Sequence, residues 1–144
     1  MEPLHDEAIK AIAIGAASLF HINRNTPKNL GIFMEMLQDY GILVDVIDDK
    51  EWLKVTDAGC INRTILIPNS LYQQICMSDK KAIFIFFHEL GHLLLGHQAM
   101  LHHSDLEPTK FEDAEWQADE FSRYILEIMK INYIPEQLSF SFEF

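Results

Sequence analysis

Two histidines and a glutamate stand at the spacing at which a helix can bind a catalytic metal ion. They form the HExxH pattern His88-Glu89-Leu90-Gly91-His92. At about 100° of turn per residue, His92 lies about 40° and Glu89 about 100° around the helix from His88, so the three side chains share one side. The two imidazoles can bind one metal, and the carboxylate can act on a water beside it. Since the composition gives only about 0.03 chance matches to this pattern, the sequence predicts a metal site.

A catalytic zinc site requires a third protein ligand and keeps its fourth position for water. A third histidine six residues after the second would stand at position 98, but Gln98 occupies it. We interpret His97, one residue short of that position, as a cation at the C-terminal end of the helix or as a histidine that lines the site. The third ligand is therefore expected to be a glutamate or an aspartate from another helix.

The last predicted helix carries the acidic residues that could supply this ligand. Glu115 and Asp119 are four residues apart and share a helix face, so one could bind the metal while the other orients an imidazole. This pairing indicates a role for both residues at the metal site. The remaining acidic residues of the helix are expected to form a solvated face, with the first two as alternative ligands: Glu112, Asp113 and Glu120.

Two N-terminal helices are predicted from the apolar spacing. Alanine, isoleucine and leucine recur at three- and four-residue steps over 6–21, which is typical of an amphipathic helix. Thr26 followed by Pro27 is a helix start, with threonine as the N-cap and proline in the first turn. Gly41 is a suitable C-terminal glycine for this second helix. The helices therefore cover about 6–40.

The central part of the chain changes to a β-branched pattern. Three strands are predicted at 42–47, 51–56 and 60–68. The turns between them are predicted at 48–50 and 57–59. These segments indicate a small antiparallel sheet over about 42–68. We expect its third strand to be the sheet edge that borders the cleft, where an extended substrate could pair with it.

The remaining chain returns to a helical pattern. A helix of about 79–97, with Ser78 as its N-cap, is apolar nearly all round and is therefore expected to be central and buried. A polar loop at 102–109 leads to a last helix at about 111–130. The predicted fold is α+β, with the sheet packed on a helical core, HExxH on the central helix and the third ligand on the following helix. We find no repeat or linker, so 1–144 is predicted to be one domain.

Two segments resemble a known family. The segment 86–97, FFHELGHLLLGH, and the segment 115–122, EWQADEFS, resemble the ImmA/IrrE zinc metallopeptidases, which belong to the thermolysin-like gluzincin clan. These enzymes carry HELGH followed by a helix with the pattern E-x-x-A-N/D-x-F-A. The segment 64–71, TILIPNSL, is also similar to the strand that precedes their metal helix. Together the resemblance covers about 42–126.

The resemblance implies a role for each matching residue. It implies one zinc ion per chain, bound by His88, His92 and Glu115, with Glu89 as the catalytic carboxylate. Asp119 stands where the clan places an acidic residue beside a ligand histidine. The expected fold is a minimal zincin-like metalloprotease. The chain departs from the family where Ser122 replaces alanine and where the usual Leu-Met-Pro is absent.

The resemblance also implies a substrate class. Such enzymes commonly cleave or inactivate a helix-turn-helix transcriptional repressor of a mobile element or stress response. The chain carries 22 acidic against 11 basic side chains, a formal net charge of −11. This charge argues against direct nucleic-acid binding and suits a basic, DNA-binding protein substrate. The sequence does not indicate an oligomeric state.

Cysteine content and hydropathy predict the compartment. The two cysteines, Cys60 and Cys76, are too few for a disulfide scaffold and are interpreted as reduced thiols of the core. No secretory signal is visible, and no run of about 18 apolar residues suggests a membrane span. The sequence therefore predicts a soluble, cytoplasmic protein with no membrane partner.

A non-hydrolytic protein is the main alternative. It would be a zinc-containing antirepressor, toxin or partner-binding module that acts by complex formation. Glu89 favours the enzyme, because a structural zinc site does not need a carboxylate between its histidines. An enzyme also requires a donor for the oxyanion, and no spacing selects among the candidates: Tyr124, Tyr133, His97, His102 and His103.

Overall fold

The computed structural model describes residues 5–52, 58–97 and 113–134. Within these ranges the fold is α+β, as predicted, with five α-helices and a three-stranded sheet. The helices are α1 (Asp6–Leu19), α2 (Leu30–Met36), α3 (Asn69–Cys76), α4 (Lys80–Leu94) and α5 (Ala114–Ile128). The strands are β1 (Leu43–Ile47), β2 (Gly59–Ile61) and β3 (Thr64–Pro68). Short 3₁₀ turns occupy Thr26–Asn29, Leu37–Tyr40 and Asp49–Glu51.

The sheet is mixed, so the prediction of a wholly antiparallel sheet is wrong. Its order is β1-β3-β2, with β1 parallel and β2 antiparallel to β3. Ile65 of β3 lies between Val44 of β1 and Cys60 of β2. Because β3 is paired on both sides, it is not the sheet edge that we expected at the cleft. β2 is an edge strand instead, and it packs on α4.

The predicted third strand is a hairpin. Ile61 pairs with Thr64, so Asn62 and Arg63 form a two-residue turn between β2 and β3. Both turn residues have positive φ, 50° and 62°, which is typical of the turns that match the twist of a hairpin. The Arg63 guanidinium donates to the carbonyls of Tyr40 and Gly41 and holds the turn against the end of the N-terminal segment. Most of the predicted second strand, 53–56, lies outside the described residues.

The N-terminal helices differ from the prediction only in detail. α1 ends at Leu19, close to the predicted end. The second predicted helix is α2 flanked by two of the 3₁₀ turns, and Gly41 ends it with a left-handed φ of 78°. Thr26 is not an N-cap, because its Oγ1 accepts from the Asn23 N–H in the turn before the helix.

The start of the HExxH helix is also shifted. Asp79 is the N-cap of α4, and its carboxylate accepts from the Ala82 N–H. Ser78, the predicted cap, has a positive φ of 64° and donates through Oγ to the Pro27 carbonyl. Ser78 lies in the short connection between α3 and α4. The apolar pattern did not predict α3 as a separate helix.

α4 is a largely buried helix of the core. α5 packs along α4, and α1 packs on α5. Phe86 and Phe87 of α4 pack against Phe33 of α2. The fully buried side chains of α4 include Ile83, Phe86, Phe87 and Leu90. No helix among the described residues is both long and apolar enough to cross a lipid bilayer.

Candidate metal centre

Three predicted ligands meet between α4 and α5. His88 Nε2 lies 3.1 Å from His92 Nε2 and 3.0 Å from Glu115 Oε1. His92 Nε2 lies 3.3 Å from Glu115 Oε2. The two histidines are one turn apart on α4, and Glu115 stands in the first turn of α5. The structure therefore brings together donors that are 27 residues apart in the sequence.

Glu89 completes the cluster on the helix itself. His88, Glu89 and His92 each offer one ligand atom, and these atoms all lie within 4.8 Å of one another. Glu89 is only 2% exposed, so its carboxylate stands in the protein interior beside the two imidazoles. This group could hold a metal ion.

The donor set fits zinc. Two imidazole nitrogens and one carboxylate form the ligand combination of many catalytic zinc sites. Zinc bonds of about 2.0–2.1 Å in a tetrahedron separate neighbouring donors by about 3.3 Å. The two Nε2 atoms lie 3.1 Å apart, and the nearest Glu115 oxygens lie 3.0 Å from His88 and 3.3 Å from His92, close to that value. The residues present therefore match the metal that the motif predicts.

Asp119 orients the first histidine. His88 Nδ1–H donates to Asp119 Oδ1 over 2.7 Å, and this contact turns Nε2 toward His92 and Glu115. The i, i+4 spacing on α5 places Asp119 and Glu115 on opposite sides of the same ring. Such an outer partner fixes the ring orientation and the tautomer of a ligand histidine.

The two carboxylates also change the protonation of His88. Burial alone lowers the pKa of this imidazole, but the hydrogen bonds to Asp119 and Glu115 outweigh burial and raise the pKa to about 10. The ring in the metal-free protein is therefore an imidazolium at neutral pH. A divalent metal at Nε2 requires the loss of one proton from this ring.

The remaining acidic residues of the last helix have other partners. Asp113 is the N-cap of α5 and accepts from the Glu115 N–H over 2.9 Å. Glu120 accepts from Arg123 in an i, i+3 ion pair. Glu112, the other alternative ligand, lies outside the described residues. Of the acidic side chains of α5, the structure thus brings Glu115 to the two histidines.

Two of the candidate oxyanion donors, Tyr124 and Tyr133, have other partners among the described residues. Tyr124 donates through its hydroxyl to Asp6 of α1. The Tyr133 ring packs against Phe84, with centroids 5.4 Å apart. His102 and His103 lie outside the described residues. Ser122, which departs from the family pattern, donates to the Phe84 carbonyl over 2.8 Å and joins α5 to α4.

His97 is buried rather than a C-terminal cation. Its Nδ1 lies 2.7 Å from His92 Nδ1, and its Nε2 lies 2.7 Å from Gln117 Oε1. Burial lowers the pKa of His97, the neighbouring His92 lowers it further, and the Gln117 hydrogen bond opposes the shift. The alternative interpretation, a histidine that lines the site, agrees with the structure. The contact of Gln117 with His97 could not be predicted from the sequence, because no spacing rule connects Gln117 to the HExxH helix.

Cys60 is a further residue near the cluster. It is buried, as predicted for both cysteines, whereas Cys76 is exposed, so the prediction of a core thiol is wrong for Cys76. The Cys60 side chain is buried on β2, the strand that packs on α4. Burial, together with the negative charges of Glu89 and Glu115, raises the pKa of this thiol to about 12. The thiol is therefore neutral and borders the acidic side of the cluster.

No protein-family model, curated protein or solved structure matches the chain.

Proposed function

We propose that the protein is a zinc-dependent endopeptidase with a zincin-like site. His88, His92 and Glu115 would hold one zinc ion per chain, and Glu89 would be the catalytic carboxylate. The observation that carries this proposal is that His88 Nε2 and His92 Nε2 lie 3.1 Å apart and each lies within 3.3 Å of a carboxylate oxygen of Glu115, with Glu89 buried beside them. The resemblance of the two segments to the ImmA/IrrE enzymes supports the same assignment.

Each residue has a distinct task in peptide hydrolysis. Zinc, when bound, polarises the scissile carbonyl and lowers the pKa of water to about 7. Glu89 accepts the proton of the attacking water and returns it to the leaving amine. Asp119 holds His88 so that its Nε2 stays directed at the site.

The proposed substrate is a basic protein, a helix-turn-helix repressor of a mobile element or stress response. A net charge of −11 would speed its encounter with the positive surface of such a protein. Since a repressor acts in the cytoplasm, the proposal places the peptidase there. An extended substrate segment would pair with β2 rather than β3, because β2 is an edge strand that packs on α4.

The test combines metal content with cleavage in one set of variants. Zinc is measured by elemental mass spectrometry in wild type, Glu89→Gln, His92→Ala, Glu115→Ala and Glu120→Gln. Each protein is then incubated with the repressor encoded beside its gene. Glu120→Gln is the matched control, because Glu120 is also an acidic residue of α5 but pairs with Arg123.

We expect one zinc per chain in wild type, Glu89→Gln and Glu120→Gln, and little zinc in His92→Ala and Glu115→Ala. Cleavage is expected only from wild type and Glu120→Gln. Zinc retained by Glu115→Ala would contradict the ligand set. Cleavage by Glu89→Gln at the wild-type rate would contradict its catalytic role. Tight zinc with stable complex formation but no cleavage would favour the non-hydrolytic module.

A further inference from the structure

The second ring nitrogen of His92 is engaged by a buried pair of side chains, His97 and Gln117. His97 follows the end of α4, and Gln117 stands on α5, two residues after Glu115. The contacts form a series: His92 Nδ1 to His97 Nδ1 at 2.7 Å, then His97 Nε2 to Gln117 Oε1 at 2.7 Å. His92 and Gln117 are fully buried, and His97 is 8% exposed.

The end of α4 is shaped to bring His97 back over His92. Gly96 has a left-handed φ of 79°, and the His97 N–H donates to the His92 carbonyl over 2.9 Å. This 6→1 bond after a left-handed glycine is the Schellman ending of a helix. His97 is therefore tied to His92 twice, once through the backbone and once through the rings.

The directions of the hydrogen bonds follow from counting protons. The Gln117 carbonyl oxygen can only accept, so His97 Nε2 carries a proton and donates. A neutral His97 then has a bare Nδ1, which accepts from His92 Nδ1–H. This bond places a proton of His92 on Nδ1, so that Nε2 is the ring nitrogen left to bind a metal beside His88 and Glu115.

We propose that His97 and Gln117 are positioning residues that hold His92 in the tautomer and ring orientation required for metal binding. The inference rests on the metal site of the proposed function, but not on peptide hydrolysis. It gives the two histidine ligands different supports, since a carboxylate holds His88 and a neutral imidazole–amide pair holds His92. The neutral pair supplies this support without adding another negative charge to a cluster that already contains Glu89, Glu115 and Asp119.

The first test is the zinc dissociation constant of the purified full chain, measured by competition with a chelator. Loss of an outer partner typically weakens metal binding by about 10- to 100-fold, and we expect this loss for His97→Phe. His97→Asn should recover most of the affinity, because its amide oxygen replaces Nδ1 as the acceptor. Gln117→Met, of similar volume, should also weaken binding, since it leaves the His97 ring without its acceptor.

Ser122→Ala is the matched control. It removes another buried hydrogen bond between α5 and α4 but touches neither His92 nor His97. We expect it to lower the melting temperature and leave the zinc dissociation constant unchanged. If Ser122→Ala weakens zinc binding as much as His97→Phe, the effect belongs to helix packing and the positioning role is overturned.

A second measurement uses the wild type alone and therefore does not depend on a variant that folds. Long-range ¹H–¹⁵N spectra of the zinc-loaded protein report which ring nitrogen of each histidine carries a proton. We expect a proton on Nδ1 of His92 and on Nε2 of His97. A proton on Nδ1 of His97 would overturn the inference.

The outcomes separate the inference from the proposed function. If wild type binds no zinc, both are overturned. If wild type binds zinc and His97→Phe binds it equally well, the positioning role fails while the metal site stands. If wild type binds zinc but does not cleave the repressor, the peptidase function is contradicted and the positioning role is unaffected.

Discussion

At the scale of single residues, the candidate site depends on the side chains that hydrogen-bond to the ligand histidines. A histidine ring presents a useful lone pair only when its other nitrogen is held, and the structure provides a separate partner for each ring. Asp119 accepts from His88, and His97 lies against His92. Both partners come from outside the HExxH pattern, so the motif alone does not define the site.

Removing the Asp119 carboxylate should weaken metal binding. Asp119→Ala leaves the His88 ring free to rotate, and we expect the zinc dissociation constant to rise by about 10- to 100-fold. Asp119→Asn keeps an oxygen acceptor, so its zinc dissociation constant should lie between those of Asp119→Ala and wild type. The measurement is chelator competition, with Glu120→Gln on the same helix as the control. Equal affinities for Asp119→Ala and wild type would show that the carboxylate does not position His88.

The two cysteines should differ sharply in reactivity. Cys60 is buried with a pKa raised to about 12, whereas Cys76 is exposed. Because the thiolate is the reactive form, iodoacetamide at pH 8.5 should modify Cys76 in the native protein and Cys60 only after unfolding in urea. Mass spectrometry of the native and unfolded chains checks this. Modification of both thiols at similar native rates would contradict the burial of Cys60.

The same pKa shift has a consequence for stability. The folded protein favours the neutral Cys60 thiol, and an unfolded thiol has the ordinary value of 9.0. This contribution to folding is fully present below pH 9 and is lost as the pH rises toward 12. The Cys60→Ser variant, in which no thiol titrates at position 60, should show a smaller loss of melting temperature between pH 9 and pH 11 than wild type.

At the scale of elements, the site depends on how closely α5 approaches α4. A Cβ added at Gly91 would stand 3.0 Å from Phe121 Cδ2 and 3.2 Å from its Cβ and Cγ. Glycine therefore allows the close approach that brings Glu115 within 3.0 Å of His88. Gly91, within the HExxH motif, therefore influences the position of the third ligand, because the absence of a side chain leaves room for Phe121 of α5.

Gly91→Ala should destabilise the fold in spite of the better helix propensity of alanine. The contact with Phe121 is expected to cost about 1–3 kcal/mol of unfolding free energy, measured by urea denaturation. Gly15→Ala on α1 is the control, because a Cβ there meets nothing within 4 Å. It should stabilise the protein by about 0.5–1 kcal/mol. If both substitutions change the unfolding free energy in the same direction, the close contact at Gly91 is contradicted.

The helices could be predicted from the sequence because helical periodicity is a local property. The HExxH spacing and the pair Glu115 and Asp119 each lie within one helix turn, so the expected faces could be worked out from numbering alone. In the structure, His88 and His92 lie side by side, and Glu115 and Asp119 both contact His88. The approach of one helix to the other was implied by family resemblance, and not by spacing.

The sheet could not be predicted in the same way. The segment 60–68 has a continuous strand composition, and the hairpin turn within it depends on Asn62 and Arg63 at positive φ. Asparagine tolerates this conformation, but arginine does not favour it. Arg63 is held there by its bonds to the carbonyls of Tyr40 and Gly41, more than 20 residues away. The series from His92 through His97 to Gln117 was missed for the same reason, since it is a tertiary contact.

At the scale of the whole molecule, the candidate site lies where separate parts of the fold meet. α4 contributes two ligands and α5 contributes one, while α1 packs on α5 and is joined to it by the bond from Tyr124 to Asp6. A metal held by His88, His92 and Glu115 would therefore fix α5 to the core helix. Binding at this place is linked to the stability of the folded chain.

Zinc should raise the melting temperature of the whole domain. A ligand that binds only the folded state at 100 times its dissociation constant adds about 2.7 kcal/mol of stability. For a domain of this size, that corresponds to roughly 5–10 °C in melting temperature. Differential scanning calorimetry of the metal-free protein with and without zinc measures the shift. His92→Ala should lose it, whereas Glu120→Gln should keep it. A similar shift in His92→Ala would mean that the ion stabilises the chain from some other place, and α4 and α5 would then not be joined through these ligands.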